Sequence, residues 1–231
     1  MTIRKKAITA ITLAAATLPM TSANAQVAGI ATADTVQAIV QAKAFGLAYR
    51  QIGTTYQTYS QQIQTKSQEV NSLNAKLDTN GDKVLDQAEV DAAVKAKNPV
   101  LQQIDQKNLE IQQLQLPIAK AQIFAIEAIA KQYDAAQSAV VKAKKINVIL
   151  APDAFLYAPK AVDVTPSIVA ELDKLLPTVP TTPPAEWKPS RQGAAIHKQI
   201  QTILGQAARI QAAQAAQQKA QAQPAAQPSS R

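Results

Sequence analysis

Apolar positions along the chain form two long trains of heptad spacing on either side of a short acidic stretch. The first train is Phe45, Tyr49, Ile52, Tyr56, Tyr59, Ile63, Val70, Leu73 and Leu77. Its steps are threes and fours, with Lys66 taking the one skipped seam position. Such a seam predicts an unbroken helix from Phe45 to Leu77. At about 1.5 Å per residue it is on the order of 50 Å long, wider than a small core, so it must project. The second train is Leu101, Ile104, Ile111, Leu114, Ile118, Ile126, Ile129, Tyr133, Ala136 and Val140. It predicts a returning helix from Val100 to Lys145, kinked at Pro117, where a backbone donor is missing. Two antiparallel heptad helices joined by a short connection make a hairpin arm, residues 45–145.

The period changes outside the arm. Val27–Thr32 reads as a strand, and a helix starts at Thr35. Ile146–Leu150 and Ala154–Ala158 are apolar runs separated by Ala151-Pro152-Asp153, and they read as two strands joined by a tight turn. Thr165-Pro166 opens a helix, with Thr165 as its cap and Ile168, Val169, Leu172, Leu175 and Leu176 on its apolar face. Residues 26–44 and 146–176 together predict a small body of strands and short helices. A sheet this small with open edges is marginal alone, and association of copies solves that. Residues 177–192 are proline-rich, hold the only tryptophan, Trp187, and read as an extended linker. Residues 193–211 predict an amphipathic helix, and the Ala-, Gln- and Pro-rich remainder, 212–231, a disordered tail.

Composition bounds the chemistry. Arg4, Lys5 and Lys6, the apolar stretch Ala7–Met20 and the Ala23-Asn24-Ala25 site form a signal peptide, residues 1–25, with cleavage expected after Ala25. Without its three basic residues the 24 Lys and Arg fall to 21 against 16 Asp and Glu, a net charge of +5. That suits salt-sensitive attraction to acidic partners or an anionic lipid surface, and export argues against nucleic acid. Cysteine is absent, so an exported chain must hold together by packing or oligomerisation. His197 is the only histidine and no phosphate-cradling glycine loop exists, so no enzyme is expected and no cofactor required. From Lys43 to Lys145, outside 78–91, the arm carries 12 basic and 5 acidic residues, while the tip, Asp78–Asp91, carries 1 against 5.

The acidic turn, residues 78–89, matches the calcium loop of helix–loop–helix proteins. Asp78, Asn80, Asp82, Asp86 and Glu89 stand at loop positions 1, 3, 5, 9 and 12, and Val84 offers a backbone carbonyl at position 7. Position 6 departs from the pattern: Lys83 stands where the turn calls for glycine. A left-handed non-glycine residue costs about 1–2 kcal/mol, and a cation beside the metal adds to that. Two readings stay open here, a weak calcium site at the arm tip and an acidic hairpin with an Asn80-Gly81 turn.

The order of parts resembles the Skp/OmpH family of periplasmic chaperones. The residues that carry the resemblance are Ile146–Ala158, Val162-Asp163-Val164-Thr165 and the helix to Leu176, in the stretch KKINVILAPDAFLYAPKAVDVTPSIVAELDKLL. The resemblance implies an α+β, mainly α fold: a small strand-containing trimerisation body with a long antiparallel coiled-coil hairpin arm. It implies a homotrimer in the periplasm whose arms enclose a cavity for unfolded outer-membrane proteins, with no catalysis. The alternative is an exported coiled-coil structural or calcium-responsive envelope protein. The acidic tip and the extension from Pro177 depart from the family pattern.

Overall fold

The computed structural model describes residues 29–222, so the expected signal peptide and the end of the tail lie outside the described residues. The chain is mainly helical with one small sheet. Strand β1 (Ile30–Thr32) leads into α1 (Thr35–Gln41), α2 (Lys43–Thr55) and α3 (Gln57–Asn74). After the tip come α4 (Gln87–Lys95) and α5 (Pro99–Lys144), then β2 (Val148–Leu150), α6 (Thr165–Leu175) and α7 (Arg191–Ala222). Strands β1 and β2 pair in parallel, Ile30 opposite Val148 and Thr32 opposite Leu150, and the whole arm is the crossover between them. Gly29 (φ +85°) is required at the edge of this pair, because a Cβ there would meet the Asn147 side chain at 2.3 Å.

Body helices are tied together by caps that reach across the chain. Asp34 caps α1 by accepting from the Gln37 amide at 2.9 Å, and its own amide donates to Thr165 Oγ at 3.0 Å. The Asp173 carboxylate of α6 accepts from the Lys43 amide at 2.8 Å, at the start of α2. Thr165 therefore lies inside the first turn rather than capping it: Asp163 accepts from its amide at 2.9 Å, and Val164 is the flanking residue.

Further sequence expectations change. The helix expected to run unbroken from Phe45 to Leu77 is interrupted at Tyr56 (φ −104°, ψ 20°), which separates α2 from α3. Gly53, Thr54 and Thr55 precede the break, and all are weak helix formers. Helix α5 runs through Pro117 from Pro99 to Lys144, 46 residues or about 70 Å, close to its expected bounds. The strand expected at Ala154–Ala158 does not form. Pro152–Ala154 makes a single 3₁₀ turn, and Leu156 and Tyr157 stand exposed. Pro152 and Pro159 bracket this run and cannot donate to a ladder.

One contiguous apolar core joins the body to the root of the arm. It holds Ala38 and Ile39 of α1, Phe45, Ala48 and Ile52 of α2, Ile126, Ile129 and Tyr133 of α5, and Ile168 and Leu172 of α6. Ile196 and Ile200 of α7 belong to it, and so does Val179 of the proline-rich stretch. The stretch read as a linker is thus packed, and α7 runs eleven residues past the expected end at Gln211. The Ala- and Gln-rich sequence there is a strong helix former, which composition-based reading of a tail undervalues.

Candidate functional site

Above the core the arm is a two-helix ribbon. Ile63 and Val70 of α3 face Ile104, Ile111 and Leu114 of α5, and all five are only half-buried. Charge pairs fix the register. Lys66 bonds Glu110 across the seam, Lys107 pairs with Glu69 at 2.7 Å, and Lys107 also lies 3.7 Å from Glu110. Contact with Lys66, then Gln106, pulls the Glu110 carboxyl down to about 2 from its ordinary 4.5. The bond to Glu69 holds Lys107 above its ordinary value.

With the seam facing inward, α5 leaves other apolar side chains in water. Leu109 and Leu116, one heptad apart and so on one face, are 54% and 58% exposed. Val94 and Val84 near the tip are exposed too, as are Tyr59 and Leu47 on the other strand of the arm. Between the helices toward the tip lies a groove of about 830 Å³, lined by Thr65, Gln68, Ser72, Gln103 and Lys107 among others. The outward surface of the arm is thus sparse apolar side chains set among Gln and Lys. Sequence could not separate these outward residues from seam residues, because Leu109 and Leu116 fall at helical spacing just as the seam does.

At the tip, the sequence-selected residues do come together, around backbone amides. Asp78 accepts from Gly81 and Lys83 at 2.7 and 2.8 Å, Asn80 from Asp82 at 2.8 Å, and Asp82 from Val84 at 2.8 Å. Asp86 and Glu89 form a capping box at the start of α4. Glu89, only 6% exposed, also accepts from the amides of Thr79 at 2.6 Å and Asn80 at 3.1 Å. The Thr79 amide chiefly, with those of Asn80 and Asp86, pulls its carboxyl below the ordinary range. Lys83 sits at φ +67°, so the left-handed turn demanded of position 6 is made without glycine. Among the described residues no three acidic or histidine side chains stand close enough to hold a metal ion. The loop is the right donor set with its oxygens aimed at its own amides.

His197, the only histidine, faces the arm. It shares a hydrogen bond with Gln122 at 2.8 Å, and burial lowers its pKa. Beside it, burial pushes the Tyr49 hydroxyl up to about 12, an effect partly offset by Gln201. Trp187 packs edge-on against Phe124 with ring centres 5.1 Å apart. Ser190 donates its amide to Glu127 at 2.7 Å. These are structural contacts of α7 and the stretch before it with α5, and no nucleophile or base pair stands among them.

A family model described as "Outer membrane protein (OmpH-like)" matches residues 29–172. A crystal structure from Caulobacter crescentus CB15, described as an OmpH-like outer membrane chaperone, is similar at 16% identity and a TM-score of 0.44, covering 69% of this chain and 93% of that one. No curated protein matches the chain.

Proposed function

The chain belongs to the OmpH-like family, and on that premise we propose that it is a periplasmic holdase that binds unfolded outer-membrane proteins between the arms of a homotrimer and prevents their aggregation. The observation that carries this reading is the outward stripe of Leu109 and Leu116 on an arm whose outward surface is otherwise mainly polar, rich in Gln and Lys. A chain awaiting insertion as a barrel must be shielded without being trapped. Scattered apolar contacts, each weak, give affinity only when several arms engage at once. The basic balance of the arm favours acidic clients and anionic lipid headgroups through long-range attraction. No catalytic step belongs to this reading.

Assembly of copies is supported by the body. The sheet has only two strands, with one bridge from Thr32 to Asp163 beside β1; Ile30, Val148 and Leu150 are exposed, and Leu156 and Tyr157 stand out on the following loop. Exposed strand edges and apolar loops of this kind invite a second copy. The test is dilution of a urea-unfolded outer-membrane barrel protein into buffer with and without this protein, read by light scattering. Suppression at one trimer per client is expected, and Leu109→Asp with Leu116→Asp should weaken it. No suppression by the wild-type protein sinks the chaperone reading, and a monomeric mass in solution sinks the assembly.

A second reading concerns the tip. We propose that residues 78–89 take calcium weakly, because Lys83 already holds the left-handed turn that the loop requires. Both oxygens of Glu89 are engaged by amides, so binding exchanges those bonds for the ion. Calorimetry should show a site in the millimolar range typical of extracellular modules, lost in Asp78→Ala; flat traces for both proteins remove it.

A further inference from the structure

We infer that the C-terminal extension is a brace that locks the root of the arm to the body and places the arm's pivot at the level of Tyr56 and Pro117. Two independent observations meet at that level. The first is a weakness in both helices. The pairs Lys66–Glu110 and Glu69–Lys107 define the register of the hairpin. Carried toward the root at equal rise in both helices, that register sets Tyr56 opposite Lys120, about one turn from Pro117. Tyr56 is where α2 ends and α3 begins. Pro117 offers no amide to the carbonyl one turn before it. Each helix therefore lacks its full ladder at one height, where kinks in helices form.

The second observation is where the brace stops. The extension crosses the arm just below that height. Trp187 packs on Phe124, His197 bonds Gln122, and the Ser190 amide bonds Glu127. Gly193 sits so close to α5 that a Cβ there would lie 2.3 Å from Glu127 Oε1. On its other side α7 reaches the body, where Gln199, Thr202 and Ile203 share a cleft with Thr35, Val36 and Pro152. Ile196 and Ile200 are buried in the same core as Ile39 of the body and Ile129 of the arm. That core ends at Ile52 on α2 and Ala121 on α5, at the level of the breaks. Below it the arm is held by three other helices, α1, α6 and α7; above it, α3 and α5 are joined by a half-buried seam, its charge pairs and, toward the tip, the buried Leu73.

The consequence is a short lever. From Pro99 to Pro117 the free part of α5 is about 27 Å, against about 70 Å for the whole helix. A bend of about 20° then moves the tip by about 10 Å, where the same bend at the root would move it by about 25 Å. The brace lies after residue 172, beyond the stretch that the family model matches. It does not depend on what the arms hold.

Spin-label distances test it, because the chain has no cysteine and introduced ones are unique. Lys174→Cys with Gln51→Cys spans body and braced arm. Gln51→Cys with Gln103→Cys spans the pivot. Labelled chains are diluted with unlabelled chains so that only distances within one chain are read. The body-to-root distribution is expected to be narrow, and the distribution across the pivot about twice as wide. Gly193→Trp undocks the start of α7, and the emission of Trp187 is kept as the reporter in a companion Gly193→Leu variant. On undocking, the body-to-root distribution should widen to match the other. Two results overturn the inference: equal widths in the unperturbed protein, or a red-shifted Trp187 with the root still as narrow as before. The first needs no destabilised variant.

Discussion

Ile200→Ala is the sharpest probe of whether the extension is part of the fold. Ile200 is fully buried, between the root of the arm and the body. The substitution removes three carbons, about 2.4 kcal/mol at about 0.8 kcal/mol for each buried methylene. The cavity left behind adds to that, because α2, α5 and α7 relax only in part, so the expected loss is about 3 kcal/mol. For a chain of this size 1 kcal/mol shifts Tm by about 2–4 °C, which gives a fall of about 6–12 °C. In urea the midpoint should drop by about 1 M. The only tryptophan, Trp187, lies in the stretch leading into α7 and reports that region alone, while far-ultraviolet circular dichroism reports every helix. The Trp187 transition is expected to move first and furthest, since local opening of α7 needs less than global unfolding. Ile210→Ala is the control: Ile210 is 58% exposed on the same helix and should shift the midpoint by less than about 0.5 kcal/mol. Indistinguishable midpoints for the two variants would refute the packing of α7 against the arm.

Acid should loosen the outer arm through Glu110. Its folded pKa is about 2 against an ordinary 4.5, so its contribution is complete above about pH 4.5 and is lost as pH falls toward 2. Thermal melts of the wild type and Glu110→Gln should therefore differ at pH 6 and converge near pH 2, with the gap at pH 6 reduced by salt. His197 acts over a different window. Burial lowers its pKa, so the unfolded chain takes up a proton first, and the contribution of the docked neutral ring is full above the ordinary 6.5 and declines below it. Trp187 emission should begin to shift as pH drops through that range in the wild type and stay level in His197→Gln; parallel curves would exclude the histidine. At the tip, Lys83→Gly relieves a left-handed lysine (φ +67°) and removes a cation from the loop. The ion-free loop already holds the left-handed turn, so that strain is common to both states and cancels; removing the cation should raise calcium affinity several-fold by calorimetry, with the gain shrinking in salt, and an unchanged constant would show that the charge at position 6 does not limit binding.

The helices were legible because their buried faces recur at a fixed period, and the breaks were not because the period survives them. Tyr56 and Tyr59 keep heptad phase across the interruption between α2 and α3, and their rings still meet at 5.8 Å. A seam records which face is inward and says little about whether the backbone ladder along it is complete. The same limit hid the outward stripe, since Leu109 and Leu116 carry the helical spacing of the seam residues beside them. At Ala154–Ala158 the apolar run that read as a strand has nothing within one chain to pair with. Its side chains Leu156 and Tyr157 are exposed, and an apolar run with no strand to pair with does not form a strand of its own. In the acidic loop the spacing of ligand-type residues was legible, but the direction of their oxygens was not, because that depends on which backbone amides compete for them.

The proline-rich stretch is the instructive case. Proline content argued for an extended spacer, and residues 177–190 form neither helix nor strand. Extension and packing are independent, however. Val179 and Thr181 are buried, and Trp187 meets an aromatic ring of the arm. A solvated spacer has no use for the largest apolar side chain in the chain, placed four residues before a helix. Proline also lowers the entropy lost when such a segment docks, because its φ is fixed before it binds. The composition that marks a linker therefore also suits a strap, and the buried Val179 and the packed Trp187 are what distinguish the two.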